Sequence, residues 1–131
     1  LAAMTASAQS ATVVKVSVPF DFKVENETYP AGNYRITFPF VPHRESVLLS
    51  TADGHALAFI NTHNSVSSWK CDLPYLLFRG YGNQYFLREI SYGSGGEARG
   101  LAMSKAEREI VKSAGKLAKA LTVREVRIGA H

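Results

Sequence analysis

Apolar and polar residues alternate with a period of two from Val14 to Val24. Val14, Val16, Val18, Phe20, Phe22 and Val24 take the even positions, and Lys15, Ser17, Pro19, Asp21 and Lys23 the odd ones. That period predicts a half-buried β-strand. So many large side chains on one face leave water only beneath a second layer, so this strand commits the chain to a sheet folded over a core. Glu25 to Thr28 then reads as a polar turn, and Tyr29-Pro30-Ala31-Gly32-Asn33 as a second bend. The alternation resumes with Tyr34, Ile36, Phe38 and Phe40 against Arg35, Thr37 and Pro39. Pro39 and Pro42 cannot donate to a ladder, so the strand is expected to end there or to lie at an edge.

Farther along, Val47 to Thr51 and Ala56 to Thr62 flank Ala52-Asp53-Gly54-His55, whose Asp-Gly pair is a hairpin signal. Residues 63–74 mix Asn, Ser, Lys, Asp and Pro and are expected to form a long loop. Tyr75 to Arg79 and Gln84 to Tyr92 predict a second hairpin about Gly80-Tyr81-Gly82-Asn83. Both faces of its second strand are partly apolar, as in a strand covered on two sides. Gly93 to Gly96 reads as a break. Ser104-Lys105-Ala106-Glu107 then matches a capping box ahead of the helical pattern AEREIVKSA, and Thr122 to Ile128 reads as a closing strand. The expected fold is therefore mainly β: a single antiparallel β-barrel or sandwich of about seven strands with one short helix in the C-terminal region.

Composition sets the scale of this picture. A chain of 131 residues with 46% hydrophobic and 20% charged residues suffices for one domain with a real core. The 15 Lys and Arg are interleaved with 11 Asp and Glu, so the net charge of +4 describes a solvated surface rather than a nucleic-acid footprint. One cysteine, Cys71, excludes an internal disulfide. The histidines His43, His55, His63 and His131 have neither close pairing nor cysteine partners, so no metal or other cofactor is expected. No stretch of 18 apolar residues is present that would form a spanning helix.

The opening residues LAAMTASAQS resemble the end of a secretory signal, with Ala6-Ser7-Ala8 before Gln9 as a small-residue cleavage pattern. The expected location is secreted, extracellular or periplasmic. Residues 1–13 are read as an extended N-terminal arm and residues 14–131 as one β-rich domain. Ala2, Met4, Ala6 and Ala8 continue the even parity of the main strand, so the arm suits a place along a sheet, its own or a neighbour's.

Catalytic signals are weak. Asp21, Glu25 and Glu27 fall on a polar face and in a turn, which makes them solvated surface. His55 beside Asp53 sits at a hairpin tip with no nucleophile in view, and Cys71 beside Lys70 lacks a candidate base. Gly93 to Gly96 lacks the lysine and helix of a phosphate loop. Asn26-Glu27-Thr28 fits a glycosylation sequon, of consequence only in a cell that glycosylates. No enzyme is expected.

Val18-Pro19-Phe20-Asp21-Phe22, then Tyr29-Pro30-Ala31-Gly32-Asn33-Tyr34-Arg35-Ile36, then Ser104-Lys105-Ala106-Glu107-Arg108 together resemble a family of small exported proteins of acidobacterial type. That family carries a VPFxFxV opening, a PAGxY turn and a late SxAER helix. The resemblance implies a structural pattern over residues 14–128 and no catalytic residues.

Two expectations of function follow. The first is an exported structural protein, a subunit of an extracellular filament or homopolymer. Its arm, through Leu1, Met4, Ala6, Ala8 and Val13, would add a strand to the next copy. The alternative is an exported, non-enzymatic binding module for a small ligand, glycan or peptide. That module would use a barrel mouth, residues 63–74, or the exposed aromatics Trp69, Tyr75, Tyr81 and Tyr92.

Overall fold

In the computed structural model, the structure describes residues 12–38, 46–66, 73–93, 97–114 and 123–130. Among the described residues eleven strands and one helix follow in chain order. They are β1 (Thr12–Val18), β2 (Phe22–Val24), β3 (Glu27–Tyr29), β4 (Gly32–Phe38), β5 (Ser46–Thr51), β6 (Ala56–Asn61), β7 (His63–Val66), β8 (Tyr75–Tyr81), β9 (Gln84–Ser91), β10 (Glu97–Gly100), α1 (Lys105–Ala114) and β11 (Val123–Gly129). They build two sheets. The first has four strands in the order β1-β4-β5-β6. The second has seven: β11-β8-β9-β10-β7, with the β2-β3 hairpin attached where β2 runs parallel to β9 at Lys23 and Phe86. The result is a mainly β sandwich, and no closed barrel forms among the described residues.

The alternating stretch from Val14 to Val24 is two strands rather than one. Pro19 cannot donate to a ladder, and the chain turns a corner at Pro19-Phe20-Asp21 that carries it from the first sheet to the second. The parity survives because both sheets turn the same side inward: Val14, Val16, Val18, Phe22 and Val24 are all buried. Phe20 seals the corner, with its ring stacked 3.9 Å from Tyr85 and edge-on to Phe78 at 5.0 Å. The Asp21 carboxylate accepts the Ala31 N–H at 2.9 Å, which ties the corner to the bend before β4.

Expected and observed elements differ elsewhere for related reasons. Residues 63–66, placed in a loop by their polarity, form β7, and β10 was not signalled at all. These two short strands pair with each other at the far side of the second sheet, where an apolar alternation is not required. Part of the polar turn after Val24 is β3, leaving only Glu25 and Asn26 to reverse the chain, with Glu25 in the left-handed region at φ 57°. The second hairpin closes more tightly than its sequence suggests, through Gly82 at φ 63° and Asn83. The hairpin about Asp53-Gly54, the doubly covered β9 and the helix start at Ser104 are as the pattern predicts, and β8 is covered on both sides as well.

The core fills the space between the sheets. Val16, Val18, Ile36, Val47, Leu49 and Ile60 of the first sheet meet Phe22, Leu76, Phe78, Leu87 and Ile90 of the second, all nearly inaccessible. On one side the sheets touch through an antiparallel bridge between Val16 of β1 and Ala130 just beyond β11.

Candidate functional site

The outward face and the far edge of the first sheet form the most distinctive surface. Because Val14, Val16 and Val18 point inward, Val13, Lys15 and Ser17 point out. The strand register carries Val13 across to Thr37, Thr37 to Leu48, and Leu48 to Phe59, so these four residues make one transverse row. Phe59 is 65% exposed and Val13 45%. They stand at the two ends of the row, on the outer strands β1 and β6, with the half-buried Thr37 and Leu48 between them, so the row is an open, largely apolar stripe across the sheet.

The row ends at β6, the last strand of its sheet. Among the described residues nothing pairs with its outer edge. Ala56-Leu57-Ala58-Phe59-Ile60-Asn61 contains no charge and no proline, two devices by which natural proteins blunt an open edge. The one protective feature is a bulge. Leu49 pairs with Ala58 and Ser50 with Ala56, which leaves Leu57 unpaired and 40% exposed, and a regular edge from Ala58 to Asn61. The opposite edge of the same sheet is β1, whose first residue Thr12 follows the N-terminal arm.

Of the residues expected at a subunit interface, Leu1, Met4, Ala6 and Ala8 lie outside the described residues. Val13 belongs to β1 itself: its main chain pairs with Thr37 of its own domain, and only its side chain faces out. Of the aromatics expected to form an exposed binding surface, Trp69 lies outside the described residues, and the expectation fails for Tyr75 and Tyr81. They are 1% and 3% exposed, because the outward face of the second sheet is itself covered. The Tyr75 hydroxyl donates to Glu89 Oε2 at 2.6 Å and the Tyr81 hydroxyl to Glu107 Oε2 at 2.8 Å. Tyr92 is half-buried, its ring 4.9 Å from Phe38.

The covered face holds groups that the sequence did not single out. Glu89 and Glu107 are buried carboxylates, and burial followed by the bond to Glu107 pushes the Tyr81 hydroxyl pKa up, with Arg79 opposing. Glu107 stands at the third helical position, yet its side chain turns to Tyr81, so the capping box is half used: the Ser104 hydroxyl accepts the Glu107 N–H at 3.2 Å. Nearby, His63, Arg79, Arg88, Glu89 and Glu125 line a cavity of about 110 Å³. The His63 ring lies against Gly100, where an added Cβ would come within 2.6 Å of Nε2. A tyrosine two-residue-phased with hydrophobics could have signalled this face only if its carboxylate partners had been known to lie opposite.

At the β5-β6 tip, the Asp53 carboxylate accepts the Thr51 hydroxyl and lies 3.2 Å from His55 Nδ1. Those two partners, Thr51 first, hold its pKa down to about 2. All of this stands in solvent, as a turn-locking arrangement would. No group of three or more His, Cys, Asp or Glu placed to hold a metal ion occurs among the described residues, and no helix among them is long and apolar enough to cross a membrane. Comparison with protein families, with characterised proteins and with solved structures returns no match.

Proposed function

We propose that the protein is an exported structural subunit that assembles into an extracellular filament or homopolymer by strand addition. The arm of one copy lies along β6 of the next. What supports this reading is that β1, the strand the arm leads into, and β6 are the two outer strands of one sheet, and that β6 carries the exposed Phe59 on an uncharged edge unpaired among the described residues. A donor on one edge and an acceptor on the other give a heterologous contact, which repeats without closing. With Thr12 and Val13 engaged at home, the exchanged segment is residues 1–11, which would span about 36 Å if fully extended, more than the regular edge from Ala58 to Asn61 requires.

The alternative, a binding module built on Trp69, Tyr75, Tyr81 and Tyr92, is weaker. Two of its four aromatics have their hydroxyls and rings committed inside the fold.

Sedimentation and electron microscopy of the full chain test the proposal. Large, concentration-dependent particles are expected. Removal of residues 1–11, or Phe59→Lys, should leave a folded monomer with nearly unchanged thermal stability, since a 65% exposed ring contributes little to the isolated domain. A full chain that stays monomeric at millimolar concentration overturns it. So does an arm deletion that lowers the melting temperature without altering particle size.

A further inference from the structure

We infer that the outward face of the first sheet holds a binding site for an oxyanion, a carboxylate, sulfate or phosphate group carried by a polar ligand, with Lys15 and Arg35 as its two cationic contacts. Lys15 and Arg35 are direct partners in the β1-β4 register. Their neighbours Val14, Val16, Tyr34 and Ile36 are buried, so both cations stand on the outer face, with Cβ atoms about 5 Å apart. Like charges directly opposite each other on adjacent strands destabilise a sheet. Among the described residues no carboxylate offsets them. The four strands of this sheet contain no Asp or Glu, and Lys15 and Arg35 are their only charged residues. Among the described residues neither has a carboxylate within ion-pair distance. The acid closest in sequence to the groove, Asp53, already has its carboxylate on Thr51 and His55.

The two cations border a groove of about 360 Å³ that Ser17, Asn33 and Ala52 also line. The Ser17 hydroxyl donates to the Asn33 side-chain oxygen, which leaves the carboxamide N–H groups as donors uncommitted to that bond. A guanidinium, an ammonium and an amide thus line one groove that no carboxylate lines, a donor set that an oxyanion completes. The groove has room for several times the volume of one water, so the anion can belong to a larger polar body such as an acidic sugar. This site lies one row away from the Val13 to Phe59 stripe and does not depend on assembly.

The test follows backbone amide shifts of the full chain by NMR at constant ionic strength, with sodium chloride replaced stepwise by sodium sulfate, and separately by glucuronate or a polyuronate. Saturable shifts centred on Lys15, Ser17, Asn33 and Arg35 are expected. Each of K15Q and R35Q should weaken them about tenfold or more, while K23Q, on the other sheet, should leave them unchanged. Tighter binding of glucuronate than of sulfate assigns the site to an acidic sugar, tighter binding of the polyuronate than of glucuronate to an acidic polymer, and equal binding of all three to the bare anion. Lys15→Glu provides the control for folding: it should raise the melting temperature by pairing with Arg35 and abolish binding. Shifts that stay linear and match those in chloride, or binding that survives K15Q and R35Q together, overturn the inference.

Discussion

Replacing Tyr81 by Phe removes one oxygen from a place where almost no water reaches. Tyr81 and Glu107 are 3% and 2% exposed, and their contact of 2.8 Å joins β8 to α1 across the covered face of the second sheet. A hydrogen bond to a charged group is worth about 1.5 to 3 kcal/mol net, and the variant also leaves a buried carboxylate short of a donor. A loss of about 2 to 3 kcal/mol at pH 7 is therefore expected, which for a domain of this size lowers the melting temperature by roughly 10 °C. The pH dependence gives a second, sharper check. Burial first and Glu107 second raise the Tyr81 pKa above its usual 10.0. A raised folded-state pKa means that the neutral phenol is the stabilised form. Its contribution is complete below pH 10 and is lost as pH climbs through the folded value. The variant has no such loss to suffer, so the gap between it and the parent protein should stay constant up to pH 10 and narrow as pH rises above it. Tyr29 and Tyr34 also have raised values and fall on the same alkaline limb, but they are common to both proteins and cancel in the difference. Thermal unfolding followed by circular dichroism at several pH values measures the gap. A melting temperature within 2 °C of the parent at pH 7, or a gap that holds constant into alkali, would refute the reasoning.

Other outcomes follow from single contacts. Ser104→Ala should cost about 1 kcal/mol by exposing the Glu107 N–H at the start of α1, with Ser104→Asp restoring most of it in urea titrations. Gly100→Ala places a methyl group within 2.6 Å of the His63 ring; because His63 is exposed at its edge strand, the ring should swing away at a cost near 1 kcal/mol, and Gly100→Ala should become nearly neutral in a His63→Ala background, as a double-mutant cycle would show. Asp53 has a folded pKa of about 2 against an ordinary 3.8, so its contribution is present above pH 4 and lost as pH falls toward 2. Protection of the Gly54 and His55 amides, measured relative to the intrinsic exchange rate at each pH, should fall over that window in the parent, and Asp53→Asn should remove that fall.

The sequence by itself determined which side chains of Val14 to Val24 and of Tyr34 to Phe38 turn inward, through their alternation, where the second strand pair turns, through Asp53-Gly54, and where the helix starts, through its capping box. Those features depend on neighbours within a few residues, and their causes are written locally. It did not reveal that the first of these stretches changes sheet at Pro19, because a strand that crosses between two facing sheets keeps the same parity as one that runs straight on. Nor did it reveal β7 and β10, whose polar residues are held by each other's main chains rather than by an apolar face. The candidate surfaces were decided later still. Lys15 and Arg35 are 20 residues apart and become a like-charged pair only through the β1-β4 register. Val13, Thr37, Leu48 and Phe59 become a row only when four strands align. Tyr75 and Tyr81 read as surface aromatics until the carboxylates of Glu89 and Glu107 are brought over them. Burial periodicity is a property of one strand, whereas juxtaposition across strands is a property of their pairing, and only the tertiary structure fixes that.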